Sequence, residues 1–131
     1  MNGSEKIVGE IVQTTNCEIW LDLDGIVHLT SGNTPMDLPA ARESVAAVVK
    51  LAGGKRVPLL VRMGRGTIPT REAREFFTSS GVQETTAIAM VADSRVTNMA
   101  ANLYLGVFKP AVPTRLFGTE SEAIDWLKGI R

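Results

Sequence analysis

The sequence has one cysteine, Cys17, and one histidine, His28. A single cysteine cannot form a disulfide within the chain, which indicates a reducing compartment. Zinc and haem sites need more histidine and cysteine ligands than one chain of this composition can supply. A Ser-His-Asp or Cys-His arrangement would have to use His28, and strand alternation instead predicts a partly exposed strand position for it. We therefore expect no metal, no cofactor and no catalytic residues.

An excess of charge of either sign is missing as well. The chain has 14 basic and 14 acidic residues and a formal net charge of zero. This balance argues against binding of nucleic acid or of an anionic membrane through overall electrostatic attraction. No run approaches the roughly 18 apolar residues of a membrane span. Residues 1–10 contain no long apolar stretch that would indicate a secretion signal. We expect a cytoplasmic protein that binds no nucleic acid and does not span a membrane.

The apolar content is sufficient for one core. The chain has 131 residues, of which 44% are hydrophobic, a normal size and composition for a single globular domain. No internal repeat, low-complexity tract or long linker divides the sequence. We predict a single domain over residues 11–131, preceded by residues 1–10 as a mobile segment or an edge strand.

Apolar and polar residues alternate over residues 17–23, which predicts a half-buried strand with Trp20 on its polar side. Asp24-Gly25 and a second apolar run follow. Asp-Gly between two such runs is the strongest short-range hairpin signal, because a two-residue type I′ turn requires positive φ at both positions. We predict an antiparallel hairpin here, with Asp22 and Asp24 as solvated side chains near its turn.

Helical periodicity and strand-like runs alternate through the rest of the chain. The predicted helices are capped by Asp37, by Thr70, by Asp93 or Ser94, and by Thr119 with Glu122, and the predicted strands are residues 57–61, 86–91 and 112–117. Strands that alternate with helices require crossover connections, so the centre of the sheet is parallel. The predicted fold is therefore α/β, a mixed sheet with a parallel centre, an N-terminal antiparallel hairpin and four helices.

This order of elements resembles the STAS domain, the fold of the SpoIIAA-like anti-sigma-factor antagonists. At closer range the chain is similar to an uncharacterised bacterial family of small SpoIIAA-like proteins. The blocks that carry the resemblance are residues 19–26, 51–55, 70–74, 102–106, 109–110, 113–117 and 123–127. Together they span about residues 12–128, and they specify a family rather than a function.

The resemblance implies a binding role, because STAS proteins dock to partner proteins. Some of them are switched by phosphorylation of a hydroxyl at the start of the helix after the third strand. In this sequence that hydroxyl would be Thr70, with Thr67 as the second choice. The sequence departs from the phospho-switching pattern at residues 62–66, where Arg-Met-Gly-Arg-Gly replaces acidic and small residues. A helix cap alone also accounts for Thr70.

Arginines and glycines cluster around the predicted start of the second helix. A candidate site for an anion or a partner protein consists of Arg62, Gly64, Arg65, Gly66, Arg71 and Arg74. Glycines allow close backbone approach, a helix start offers free N–H donors, and arginine binds phosphate or carboxylate with two hydrogen bonds. The alternative is a solvated loop whose arginines pair with acids such as Glu72 or Glu75.

A second candidate surface is apolar. Its members are Trp20, Tyr104, Phe108, Pro110 and Pro113. Trp20 could anchor an interface or could equally lean on a covering helix. The others could line a small-molecule or lipid pocket near the third helix and the last strand or form half of a homodimer contact, whereas the prolines could equally serve to steer the chain back into the sheet. The first hypothesis is a non-enzymatic STAS-like interaction or regulatory module, homodimeric, that binds a protein partner. A small-molecule or lipid carrier is the alternative, and an enzyme ranks third.

Overall fold

The computed structural model describes residues 7–32, 36–63, 69–77, 85–92 and 112–130. Its six strands are β1 (Ile7–Gln13), β2 (Cys17–Asp22), β3 (Val27–Ser31), β4 (Val57–Met63), β5 (Thr85–Ala92) and β6 (Thr114–Phe117), and its three helices are α1 (Leu38–Ala52), α2 (Arg71–Phe76) and α3 (Glu120–Ile130). The predicted α/β class is confirmed. The described residues hold three helices instead of the predicted four, because the helix predicted from Asp93 or Ser94 lies outside them.

The strands form one mixed sheet in the order β1-β2-β3-β4-β5-β6. The first three strands are antiparallel neighbours, and β3 to β6 are parallel. Parallel neighbours need a crossover that carries the chain back to the starting edge, and a helix supplies it between β3 and β4. The predicted antiparallel start and parallel centre are therefore confirmed.

Helices cover the sheet on both faces and create two cores. On the first face α1 packs on β2 and β3 and also against α2, and its Ala41 and Val48 meet Ile19 and Leu29. On the second face α3 packs on β4, β5 and β6. That second core contains Leu60, Ala87 and Ala89 from the sheet and Ala123 and Leu127 from the helix. Because side chains alternate along a strand, the even-numbered residues of β2, β3 and β4 point to this second face.

The hairpin between β2 and β3 is confirmed, but the predicted two-residue turn is wrong. β2 ends at Asp22. The Asp22 N–H donates to the Ile26 carbonyl (3.0 Å), so residues 23–25 form a three-residue connection. Gly25 has φ 83°, the left-handed conformation that a three-residue connection requires of its last residue. Leu23 therefore lies in the turn with 67% of its surface exposed, instead of continuing the strand.

Local caps define the helix ends as predicted. The Asp37 carboxylate accepts from the Ala40 N–H (2.9 Å), and Gly53 ends α1 with φ 63°. At the start of α3, the Thr119 hydroxyl accepts from the Glu122 N–H (3.3 Å) and donates to the Glu122 carboxylate (2.9 Å). None of the helices in the described part of the chain is long and apolar enough to cross a membrane.

Candidate functional site

Polar and aromatic side chains gather on the second face of the sheet, where strand register places them next to one another. Trp20 lies opposite His28 in the β2–β3 pair, and Arg62 lies opposite Thr30, two residues beyond His28, in the β3–β4 pair. We call the group formed by Trp20, Asp22, His28, Arg62 and Glu120 the His28 network. It joins three strands to the first residue of α3.

Asp22 and His28 form the centre of this network. His28 Nε2 lies 2.7 Å from Asp22 Oδ2, and the two residues are 0% and 2% exposed. The other oxygen, Asp22 Oδ1, accepts from the backbone N–H groups of Asp24 (2.8 Å) and Ile26 (3.0 Å). Burial by itself raises the pKa of Asp22, but the hydrogen bonds from His28 and from these two backbone groups outweigh burial and lower it. Asp22 is therefore an ionised carboxylate at neutral pH.

Arg62 determines the tautomer of His28. Arg62 Nη1 lies 3.1 Å from His28 Nδ1. A guanidinium carries donors and no acceptor, so Nδ1 has to accept this hydrogen bond. The ring proton of neutral His28 then sits on Nε2, where it is donated to Asp22. Both ring nitrogens are consequently engaged inside the protein.

Trp20 covers the histidine. The two rings stack with centroids 5.0 Å apart and planes at 11°, and Arg62 Cζ lies 5.5 Å from the centre of the Trp20 ring. A guanidinium near an indole face gains cation–π attraction, which increases as the pair loses water. Trp20 is 8% exposed, and its buried indole N–H has no hydrogen-bond partner among the described residues.

The outer edge of the network is an ion pair between Arg62 and Glu120. Their side chains are 21% and 34% exposed, more than those of Asp22 and His28, although the Glu120 Oε1 atom of the pair is buried. At the other end of α3, Lys128 pairs with Asp24 in the hairpin turn (3.2 Å). Each end of α3 is thus tied by one ion pair to the strands that hold the network.

The chemistry available to this group is limited by its contacts. An Asp–His pair can act as a general base when the free ring nitrogen faces a nucleophile, but here that nitrogen faces Arg62. Cys17 lies in the core of the opposite face, and Ser44 Oγ is 3.5 Å from its sulfur. Burial raises the pKa of Cys17 in spite of the hydrogen bonds from Ser44 and Thr14, which favours the neutral thiol. Within the described residues, no three His, Cys, Asp or Glu side chains could hold a metal ion.

The arginines predicted as an anion site have separate contacts. Arg62 belongs to the His28 network. Arg71 pairs with Glu75 (3.1 Å), one helical turn away, as the solvated-loop alternative expects. Arg74 Nη1 donates to the Pro69 carbonyl (2.7 Å). The remaining members, Gly64, Arg65 and Gly66, lie outside the described residues.

The predicted phosphorylation site is a helix cap. Thr70 Oγ1 accepts from the Ala73 N–H (3.3 Å), and the Thr70 N–H donates to the Met36 carbonyl (2.9 Å). The residue is exposed, and its hydroxyl is engaged in this cap. Thr67, the second choice, lies outside the described residues.

The apolar candidate surface is only partly described. Trp20 is buried in the His28 network. Pro113 is exposed, and its carbonyl accepts from the Ile88 N–H (2.8 Å) at the start of β6. Tyr104, Phe108 and Pro110 lie outside the described residues.

Two sequence predictions about this site are wrong. His28 was expected at a partly exposed strand position and is fully buried, and Asp22 was expected to be solvated and is also buried. A local signal exists only for Trp20 and Asp22, which alternation places on one face of their strand. The predicted two-residue turn would put His28 on the other face, and the observed three-residue connection shifts the register by one residue and brings His28 opposite Trp20. The contribution of Arg62 has no such local signal, because it comes from a strand 34 residues further along.

A family model matches the chain, and a solved structure agrees with its fold. A protein-family model described as a domain of unknown function (DUF7793) matches residues 19–131. The chain is similar to the crystal structure of an uncharacterized DUF3478-family protein with a SpoIIAA-like fold from Shewanella loihica, with 10% identity, a TM-score of 0.55, and coverage of 97% of this chain and 98% of that chain. An Arthrobacter protein with unknown function is 29% identical, with a TM-score of 0.32 and coverage of 83% and 96%. No curated protein matches. The Shewanella structure confirms the SpoIIAA-like fold expected from the sequence.

Proposed function

Because the chain belongs to this family, described as a domain of unknown function (DUF7793), its role has to be argued from its structure, and we propose that it is a non-enzymatic STAS-like interaction and regulatory module that binds a protein partner. The SpoIIAA-like fold supports this by analogy, since that fold serves protein–protein contact in the STAS proteins that the sequence resembles. Fold analogy alone does not give a function, so a function for this chain must also be supported by an observation on its own residues.

That observation is the complete internal use of His28. Both ring nitrogens are hydrogen-bonded within the protein, to Asp22 and to Arg62, and the residue is 0% exposed. A general acid or base must reach a proton on the substrate. The internal use of His28 therefore supports a structural role for this network and favours binding over catalysis.

We place the partner surface at the carboxyl edge of the parallel strands, where β4 ends and α2 begins. Its proposed members are Arg62, Gly64, Arg65, Gly66, Arg71 and Arg74, with Thr70 as the regulated hydroxyl. Phosphorylation of Thr70 would add about −1.5 to −2 charges at pH 7, next to Arg71 and one helical turn from Arg74. The proposed switch thus changes the charge at the start of α2, beside Arg71 and Arg74.

Site-specific photo-crosslinking in the native cell tests the proposal. A photoreactive amino acid replaces Glu72, which is exposed on α2 at the proposed surface, or Lys55, which is exposed at the opposite, amino edge of β4. Neither substitution removes the Thr70 cap. We expect the Glu72 probe to crosslink reproducibly to one protein that the Lys55 probe does not capture. Equal patterns from the two positions, or no specific adduct from Glu72, would contradict the proposal.

Native mass spectrometry of freshly purified protein tests the same proposal from another side. We expect a mass equal to bare chains, and two copies per assembly, because self-association as a homodimer is part of the proposed role. A reproducible extra mass from a bound small molecule would contradict a pure interaction module. Monomers alone would contradict the proposed homodimer. The proposal of a protein partner would then be decided by the crosslinking experiment.

A further inference from the structure

We propose that Arg62 is the group through which this chain binds an anionic side chain of its protein partner, a carboxylate or a phosphate, and that Glu120 occupies this position in the free protein. The inference rests on the proposed function, because it names the chemistry by which the partner is recognised. It assigns to the Arg62–Glu120 ion pair the role of an autoinhibitory contact.

The guanidinium of Arg62 is held in place before any partner arrives. Its Nη1 lies 3.1 Å from His28 Nδ1, and its Cζ lies 5.5 Å from the centre of the Trp20 ring. His28 is in turn fixed by Asp22 at 2.7 Å. Ordering a long side chain normally opposes binding. Here the His28 network has already ordered Arg62, so a bound anion meets a preorganised fork of N–H donors.

Glu120 covers one side of that fork, and its Oε1 atom is itself buried. Arg62 contacts Glu120 through Nη2, whereas Nη1 faces the buried histidine. The Arg62 and Glu120 side chains are 21% and 34% exposed. An anion of the same charge can therefore reach Arg62 only when the Glu120 carboxylate has moved away.

Release of Glu120 leaves its helix intact. The first turn of α3 is capped by Thr119, whose hydroxyl accepts from the Glu122 N–H, and Glu120 takes no part in that cap. The helix is held on the sheet by Ala123, Ile124 and Leu127, which are buried. Glu120 can therefore leave Arg62 by a side-chain movement alone.

Binding of inorganic phosphate, followed by titration calorimetry, tests the site. Glu120→Gln removes the internal competitor, and Asp125→Asn is the matched control, because it removes one negative charge from an exposed position of the same helix. We expect Glu120→Gln to bind phosphate about fivefold or more tightly than the native protein, and Asp125→Asn to change the affinity less than about twofold. Equal gains from the two variants would mean a general charge effect and overturn the proposal. Acetate in place of phosphate shows whether a carboxylate suffices.

A second readout locates the bound anion. His28 is the only histidine, so its ring nitrogens give one set of NMR signals. Phosphate bound by Arg62 in the Glu120→Gln protein must shift the Nδ1 signal, and Arg62→Lys added to that variant must abolish the gain in affinity. Tight binding without a shift at Nδ1 would place the anion elsewhere and overturn the assignment, even if the Arg62→Lys protein failed to fold.

A third experiment tests whether the anion that Arg62 binds belongs to a protein partner. In the crosslinking experiment with the probe at Glu72, Glu120→Gln should raise the yield of the partner adduct, and Asp125→Asn should not. If phosphate binding rises but the adduct yield does not, the ligand is a free anion and the partner assignment fails. If the adduct forms equally in all variants and phosphate does not bind, the proposed function stands and this inference fails.

Discussion

His28 donates its Nε2 proton to Asp22 across 2.7 Å, at a place where neither residue is more than 2% exposed. The bond joins β2 to β3 on the face that α3 covers further along the sheet. A buried polar pair of this kind is costly to break, because the partner that remains keeps its burial and loses its hydrogen bond.

Replacement of His28 by Ala should therefore destabilise the protein. The change leaves the Asp22 carboxylate without its side-chain partner and opens a cavity under Trp20. We expect a loss of about 3 kcal/mol in the free energy of unfolding. Urea denaturation followed by far-UV circular dichroism measures it.

The matched control is Glu18→Ala, at an exposed position of the neighbouring strand β2. It should change stability by less than about 0.5 kcal/mol. A His28→Ala loss as small as that of the control would show that the network adds nothing to stability.

The lowered pKa of Asp22 predicts acid sensitivity with a definite sign. The carboxylate has a pKa below its ordinary value of 3.8 in the folded protein, so at acid pH the unfolded chain binds the proton more readily than the folded one. The stabilising contribution is complete above the ordinary value and is lost as the pH falls through the folded pKa. Urea unfolding midpoints measured in acid and at neutral pH should show this loss.

Asp22→Asn removes the titrating group, so that part of the acid sensitivity should disappear while overall stability falls. Asp125→Asn, at an exposed position of α3, should keep the acid sensitivity of the native protein. Identical acid profiles for the native protein and Asp22→Asn would refute this assignment.

The Thr70 cap predicts a smaller effect. Thr70→Ala removes the acceptor for the Ala73 N–H at the start of α2, and loss of such a cap costs about 1 kcal/mol. Thr70→Ser should restore most of this stability, because serine supplies the same hydroxyl. Urea denaturation of the three proteins measures the difference. If Thr70→Ala is as stable as the native protein, the hydroxyl is not needed as a cap.

Replacement of two glycines by alanine should change the stability of the protein in opposite directions. Gly25 has φ 83° in the hairpin turn, a conformation that costs an alanine roughly 1–2 kcal/mol. Gly129 lies in α3, and a Cβ added there meets no atom within 4 Å. Gly129→Ala should gain up to about 1 kcal/mol from better helix propensity. Thermal unfolding compares the pair, and a Gly25→Ala protein as stable as Gly129→Ala would rule out the left-handed turn.

Part of the candidate site could be predicted and part could not. Pairing of β2 with β3 follows from the Asp-Gly signal, but the register that brings Trp20 opposite His28 does not, because a two-residue turn would pair His28 with Leu21. The burial of Trp20 and His28 is not implied either, because alternation shows which residues share a face and does not show whether that face is covered. The predicted length of the turn is also wrong, because the Asp22 side chain accepts hydrogen bonds from two backbone N–H groups and β2 ends there.

The sequence by itself determined the α/β class, the antiparallel start with a parallel centre, and the caps at Asp37, Thr70 and Thr119. These features depend on hydrogen bonds and periodicities within a few residues, so local patterns contain them. The tertiary structure alone decided that Arg62 meets His28 and Glu120. Those contacts join strands and a helix far apart in the chain, and they form only when the parallel register of β3 and β4 and the docking of α3 bring the three side chains to one place.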